Sequence, residues 1–198
     1  MRVLILSAII VAADQLTKLL VKGFVVPGLG VRLGGMAYGE SIPVLGDLLR
    51  LTYIENPGMA FGIDPGGKLF FSLFSLAASI AILVYLYRMR TEPLTPRVAL
   101  ALILGGAVGN LIDRIFYGVL FGGAPLFYGR VVDFVDIDFF DLTIGSYHLT
   151  RWPVFNIADA CVTIGVILLL FTHRAATRPE PSPLPTAPDP GLPPGEPR

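Results

Sequence analysis

LFFSLFSLAASIAILVYLY (Leu69–Tyr87) carries no charged side chain. It approaches the ~20 apolar residues that a helix needs to cross a bilayer. A helix apolar on every face belongs in a large core or a membrane, so this run predicts a transmembrane span. Three further apolar stretches accompany it: about Val3 to Val21, about Val98 to Tyr117, and Val154 to about Phe171. Two longer polar segments, about Lys22 to Lys68 and Gly118 to Pro153, lie between spans, with one short connection, Arg88 to Arg97. The expected fold is an all-α membrane protein with four transmembrane helices and a small extracytoplasmic β-containing loop region.

Composition agrees with that frame. Hydrophobic residues make up 54% and charged residues 15% of the chain, with a mean hydropathy of +0.69. A soluble domain is nearer ~25% charged. Formal net charge is zero, which gives no bulk attraction to nucleic acid. Cys161 is the single cysteine; it excludes an intrachain disulfide and a multi-thiolate metal site and reads as a small packing residue. The 198 residues hold one small membrane domain, expected over residues 1–178. From Pro179 onward proline dominates. Residues 179–198 therefore read as a disordered cytoplasmic tail.

Loop charges orient the spans. Arg88, Arg90 and Arg97 occupy the short connection, and His173, Arg174 and Arg178 follow the last span. Basic loops stay cytoplasmic. The long segments hold Glu40, Asp47, Glu55 and Asp64, and Asp133, Asp136, Asp138 and Asp141; they are expected outside, with both termini in the cytoplasm. Lys18 and Lys22 lie on the wrong side for this rule, where lysines at a helix end can snorkel. The amino terminus also resembles a cleavable signal peptide, but apolar residues resume after Asp14, which favours a retained span. In the first outer segment Arg50-Leu51-Thr52-Tyr53-Ile54 alternates like a strand.

Polar residues near hydrocarbon are costly and usually functional. Asp14 and Lys18 are spaced i,i+4 and can pair on one helix; a charge pair that orients the first helix is expected over a catalytic role. Asn56, in Asn-Pro-Gly, serves equally well as a turn residue or a site residue. Asn110, Asp113 and Arg114 share a helical face by spacing. Beside them Gly105, Gly106 and Gly109 permit close helix approach. An Asp–Arg pair would close such a face; the adjoining asparagine favours a polar network that also supports a site. Asn156 and Asp159 are spaced i,i+3, with Pro153 suited to the first helical turn. Alone, Asp159 fits the helix dipole, and Asp133 fits a solvated acidic run with Asp136, Asp138 and Asp141. Together at the outer membrane surface, Asp133 and Asp159 point to acid–base chemistry on a membrane-borne substrate.

Asp-Gln-Leu-Thr-Lys (14–18), Asn-Pro-Gly-Met-Ala-Phe-Gly (56–62), Gly-Asn-Leu-Ile-Asp-Arg (109–114), Val-Val-Asp-Phe (131–134) and Phe-Asn-Ile-Ala-Asp (155–159) follow one another along the chain. In this order they resemble the lipoprotein signal peptidases, the bacterial signal peptidase II family. The resemblance implies a four-span aspartic endopeptidase of the bacterial inner membrane, with its active site at the extracytoplasmic face. It implies Asp133 and Asp159 as the catalytic pair. Asn56, Asn110, Asp113, Arg114 and Asn156 would form the surrounding polar shell, with Asp14 a structural polar residue. The implied substrate is a diacylglyceryl-prolipoprotein, cut just before its lipidated cysteine. Membrane lipid is the other expected partner, the expected state is a monomer, and neither a cofactor nor a metal is expected. One departure stands out: Ile115 to Arg130 intervene where the family has only a few residues.

The residue types suit that chemistry. His-Glu-x-x-His is absent, and His148 and His173 are the only histidines, which argues against a zinc protease. Neither Gly-x-Ser-x-Gly nor Gly-x-Gly-Asp occurs. Two close carboxylates sharing a proton can activate water without metal or covalent intermediate. A transporter is the competing class, since buried acids also mark ion paths. Against it, the second span has no ionisable group and the acids gather at one surface. A non-catalytic scaffold would leave the aspartate pair without purpose.

Overall fold

Ser7, Ile10, Asp14, Lys18 and Val21 recur at three- and four-residue spacing, so one stripe of the first helix is buried while Ile5, Ile9, Leu16 and Leu20 face outward. That polarity is inverted relative to a soluble helix: charges lie inside and large apolar side chains outside. The structure is a computed structural model that describes residues 2–26, 30–58, 67–138, 142–144, 147–149 and 151–176. The proline-rich tail, Asp64, Asp141 and the end of the Asn-Pro-Gly motif beyond Gly58 lie outside the described residues.

The elements run α1 (Val3–Lys22), β1 (Phe24–Val26), β2 (Val31–Leu33), β3 (Ser41–Leu45), β4 (Leu49–Asn56), α2 (Gly67–Arg88) and α3 (Leu94–Ile112). A π-helical turn (Asp113–Tyr117), α4 (Gly118–Phe121), β5 (Val131–Ile137), β6 (Leu142–Ile144), β7 (Tyr147–Leu149) and α5 (Ile157–Ala176) complete the chain. Val3–Lys22, Gly67–Arg88 and Leu94–Phe121 are long and apolar enough to cross a membrane, and Ile157–Thr172 is a shorter apolar run. Helices of this kind with small antiparallel sheets make a membrane-protein architecture.

Helix α3 is central, packed against α1, α2 and α5. Glycine makes this possible at two points. A Cβ on Gly106 would fall 2.3 Å from the Ala158 carbonyl oxygen, and one on Gly109 would fall 2.6 Å from Asp14 Oδ2. Any larger residue would push α5 or α1 away. Val3, Leu86, Leu100, Ala101 and Leu104 form one apolar cluster. Val21, Tyr53, Tyr117, Val132 and Phe134 form a second, which joins the helices to the sheet.

Two expectations are corrected. The third helix does not stop at Tyr117: it continues through the π turn into α4, so the first half of the inserted Ile115 to Arg130 stretch is helical. Pro153 is not in the first turn of the last helix, which begins at Ile157. The alternation at Arg50 to Ile54 does form a strand, within β4.

Candidate active site

Strand β5 is largely buried because it has neighbours on both edges. On one edge it pairs antiparallel with β4, setting Ile54 opposite Asp133 and Asn56 opposite Val131. On the other, Phe155 exchanges hydrogen bonds with Val135 (3.0 and 2.7 Å). This short bridge is what brings Asn156 alongside Asp133, although 23 positions separate them in sequence.

Asn156 then caps α5. Its Oδ1 accepts from the Asp159 N–H at 3.0 Å, and Asp159 Oδ2 accepts from the Asn156 N–H at 3.2 Å. This is a reciprocal capping box, which satisfies otherwise orphaned donors of the first turn. The Asn156 amide is left free to reach outward. Its Nδ2 donates to Asp133 Oδ1 at 2.6 Å and lies 3.1 Å from Asn110 Oδ1. Asn110 Nδ2 in turn donates to Asp159 Oδ1 at 2.8 Å. The carboxylates on β5 and α5 thus share Asn156 as a direct partner, and Asn110 bonds both Asn156 and Asp159.

Asp133 is 2% exposed. Burial pushes its carboxyl up to about 7, and the neighbouring Asp159 charge adds to the rise. Hydrogen bonds from Asn156 and Asn56 oppose it. Asn56 also accepts from the Gly58 N–H at 2.9 Å, so the turn contact forms while the residue bonds Asp133.

Behind the pair lies a charged network, fully buried. Lys18 Nζ sits 2.9 Å from Asp14 Oδ2, 2.9 Å from Asp113 Oδ2 and 2.8 Å from Asn110 Oδ1. Lys18 therefore does not snorkel. Asp14 Oδ1 accepts from the Ala158 N–H at 3.1 Å, and Asp113 Oδ2 from the Val132 N–H at 3.1 Å. The network fixes α1, α3, β5 and α5 to one another. Asp113 pairs with Lys18 and not with Arg114. The Arg114 guanidinium stands 5.6 Å over the Phe71 ring, and its Nε and Nη1 are buried with no hydrogen-bond partner among the described residues.

Sequence reasoning passed over Gln15. Its Nε2 donates to Asp113 Oδ1 at 2.8 Å and to the Gly109 carbonyl at 3.0 Å, and its Oε1 accepts from the Tyr117 hydroxyl at 3.1 Å. Its place between Asp14 and Lys18 in Asp-Gln-Leu-Thr-Lys was the available signal. Asp136 is also not solvated: it is 6% exposed and accepts from the Thr52 hydroxyl at 2.7 Å and Arg151 Nε at 2.8 Å. Asp138 takes a second bond from Arg151 at 3.0 Å.

The model of the family described as signal peptidase (SPase) II matches residues 6–174. The chain belongs to the signal peptidase II family. It is 36% identical to a lipoprotein signal peptidase of Porphyromonas gingivalis, over 85% of this chain and 80% of that one. A lipoprotein signal peptidase of Syntrophus aciditrophicus is 42% identical over 66% of this chain and 73% of that protein. Among solved structures, a bacterial membrane enzyme determined by the in meso method at 2.3 Å resolution superposes with a TM-score of 0.64. That structure is 31% identical over 92% of this chain and 93% of its own. Family and helices together make this an integral membrane peptidase of bacterial type.

Proposed function

We propose that this protein is an aspartic endopeptidase that removes signal peptides from diacylglyceryl-modified prolipoproteins, cutting just before the lipidated cysteine. The observation that carries the reading is the position of Asn156, bonded at once to Asp133 and Asp159. Two carboxylates so held share one proton. Burial favours keeping that proton on Asp133. Asp159, ionised, takes a proton from water, and the oxygen of that water attacks the scissile carbonyl. Asp133 donates its proton to the carbonyl oxygen as the tetrahedral intermediate forms. A proton then passes to the leaving nitrogen as the C–N bond breaks. Asn56, Asn110 and Asn156 orient the carboxylates. Asp14 and Asp113, through Lys18, hold the helices that carry them, and Arg114 stands near both charges.

The reading includes four spans, with α5 as the fourth, both termini in the cytoplasm and the aspartates at the outer face. Residues 1–178 form the peptidase domain, which works as a monomer, and 179–198 are a dispensable tail. Incubating purified protein in detergent with a diacylglyceryl-prolipoprotein tests the function. Release of the signal peptide, with a new amino terminus at the lipidated cysteine, is expected. No cleavage, together with proton flux in proteoliposomes, would favour the transporter class instead.

A further inference from the structure

Side chains alternate across a strand. Ile54 and Asn56 lie on one face of β4, and Asn56 bonds Asp133. Tyr53 and Glu55 therefore lie on the other face. There Lys22, at the end of α1, binds the Tyr53 hydroxyl at 3.1 Å and the Glu55 carboxylate, and stands 5.2 Å from the Phe121 ring. Lys22, Glu55, Lys68, Phe121, Tyr128 and Arg130 line a cavity of about 240 Å³. Much of its wall comes from the inserted stretch, whose return loop is fastened by the Gly129 N–H to the Arg114 carbonyl at 2.9 Å and the Ala124 N–H to the Gly118 carbonyl at 2.9 Å.

The charges in this cavity do not balance. Glu55 is joined to Lys22 and also feels the Arg130 charge, so one carboxylate faces three cations, Lys22, Lys68 and Arg130. Lys68 and Arg130 are in no ion pair among the described residues. On the same turn and return loop, between residues that line the cavity, Val119, Leu120 and Leu126 are exposed at 52%, 65% and 50%. A cationic cup with an apolar lip has the polarity of a phospholipid, anionic at the head and apolar below it.

We propose that the cavity binds the phosphate of a membrane phospholipid, with Lys68 and Arg130 on its anionic oxygens and the lip formed by α4 and its return loop carrying the acyl chains. Guanidinium and ammonium groups are the usual phosphate partners. The volume is below the roughly 300–1,000 Å³ of a drug-sized pocket, so it admits a headgroup and leaves the chains on the lip. Free phosphate shares the head chemistry but has no use for the lip. The proposal requires that the chain sit in a membrane, and it is independent of the aspartate pair.

Native mass spectrometry of the full chain in detergent tests it, with phosphatidylglycerol, a phosphate-free diacylglycerol, and inorganic phosphate as competitor. Wild-type protein should retain phosphatidylglycerol over diacylglycerol. The Lys68→Gln/Arg130→Gln double variant should bind it roughly 10–30-fold more weakly. Should the double variant fail to fold, Lys68→Gln alone should still show a several-fold loss. Equal retention of the two lipids, or unchanged phosphatidylglycerol binding in the variants, would overturn the proposal. Displacement by inorganic phosphate at equal concentration would assign the cavity to a free anion and overturn the lipid. The readout is binding, so its failure is separable from any failure of cleavage.

Discussion

Lys18 on α1 and Asp113 at the end of α3 meet at 2.9 Å with both side chains fully buried. Asp14 holds the same ammonium from the other side, also at 2.9 Å. One cation thus serves two buried carboxylates and joins the helices that position the candidate site. Removing one partner of a buried pair typically costs ~3–5 kcal/mol, because the remaining charge is left uncompensated. Lys18→Met should lower the thermal midpoint in detergent and reduce accumulation in the membrane. Adding Asp113→Asn should recover part of the loss. An unchanged midpoint in Lys18→Met would mean that the network does not hold the fold.

Asp136 supports the sheet by a different balance. Burial acts to raise its carboxyl, but the Thr52 hydroxyl and the Arg151 guanidinium outweigh it and hold the group below the usual carboxylate range. A carboxylate with a depressed folded value contributes stability above its unfolded value of ~3.9, and that stability is lost as pH falls through the folded value. Asp136→Asn should therefore cost ~1.5–3 kcal/mol at neutral pH and progressively less below pH ~4. Urea or thermal unfolding at pH 7 and pH 3 measures the difference. Equal destabilisation at both would contradict the ionic role.

Asp133 should behave in the opposite sense. Its carboxyl, pushed up to about 7 by burial and by Asp159, favours the protonated form in the folded state. The associated stability is full below the unfolded value of ~3.9 and is lost as pH rises through about 7. Asp133→Asn, which cannot ionise, should therefore gain in thermal midpoint relative to wild type at pH 8 and lose that gain near pH 4. The gain should be roughly 2–4 °C for each kcal/mol that the buried charge costs. A lower midpoint for Asp133→Asn at pH 8 would show that the charged form is instead stabilised in place.

Deleting residues 179–198 should leave insertion and cleavage unchanged, since a proline-rich segment cannot bury a core. Comparing cleavage rates of truncated and full-length protein at equal expression checks this; loss of most activity would assign the tail a function.

The membrane frame was legible in the sequence because its signal is local. Leu69 to Tyr87 reads as a span from composition alone, and Arg50 to Ile54 reads as a strand from alternation. The meeting of Asp133, Asn156 and Asp159 was legible only as residue types that suit one chemistry. What joins them is the Phe155–Val135 bridge, a long-range pairing that no local period encodes. The Asp14–Lys18 pair is local, at i,i+4, and was legible. That Lys18 stays buried instead of snorkelling, and that Asp136 is not solvated, depends on partners distant in sequence, Asp113 and Thr52. The helical start of the inserted stretch was hidden because Phe116 to Phe121 continues a helix through a π turn, and glycines at 118, 122 and 123 suggest a loop.

Cleavage of a diacylglyceryl-prolipoprotein by Asp133→Asn and by Asp159→Asn, each purified in detergent and shown to be folded, tests the central claim most directly. An amide keeps the size of the carboxyl but cannot take a proton from water. General acid–base catalysis contributes ~10²–10⁴-fold, and residues acting as a unit lose nearly everything together. Each single variant should fall by at least ~10²-fold, the double variant should be little worse than either, and Asp138→Asn should remain near wild type. Near-normal turnover in Asp133→Asn or Asp159→Asn would contradict the aspartic mechanism.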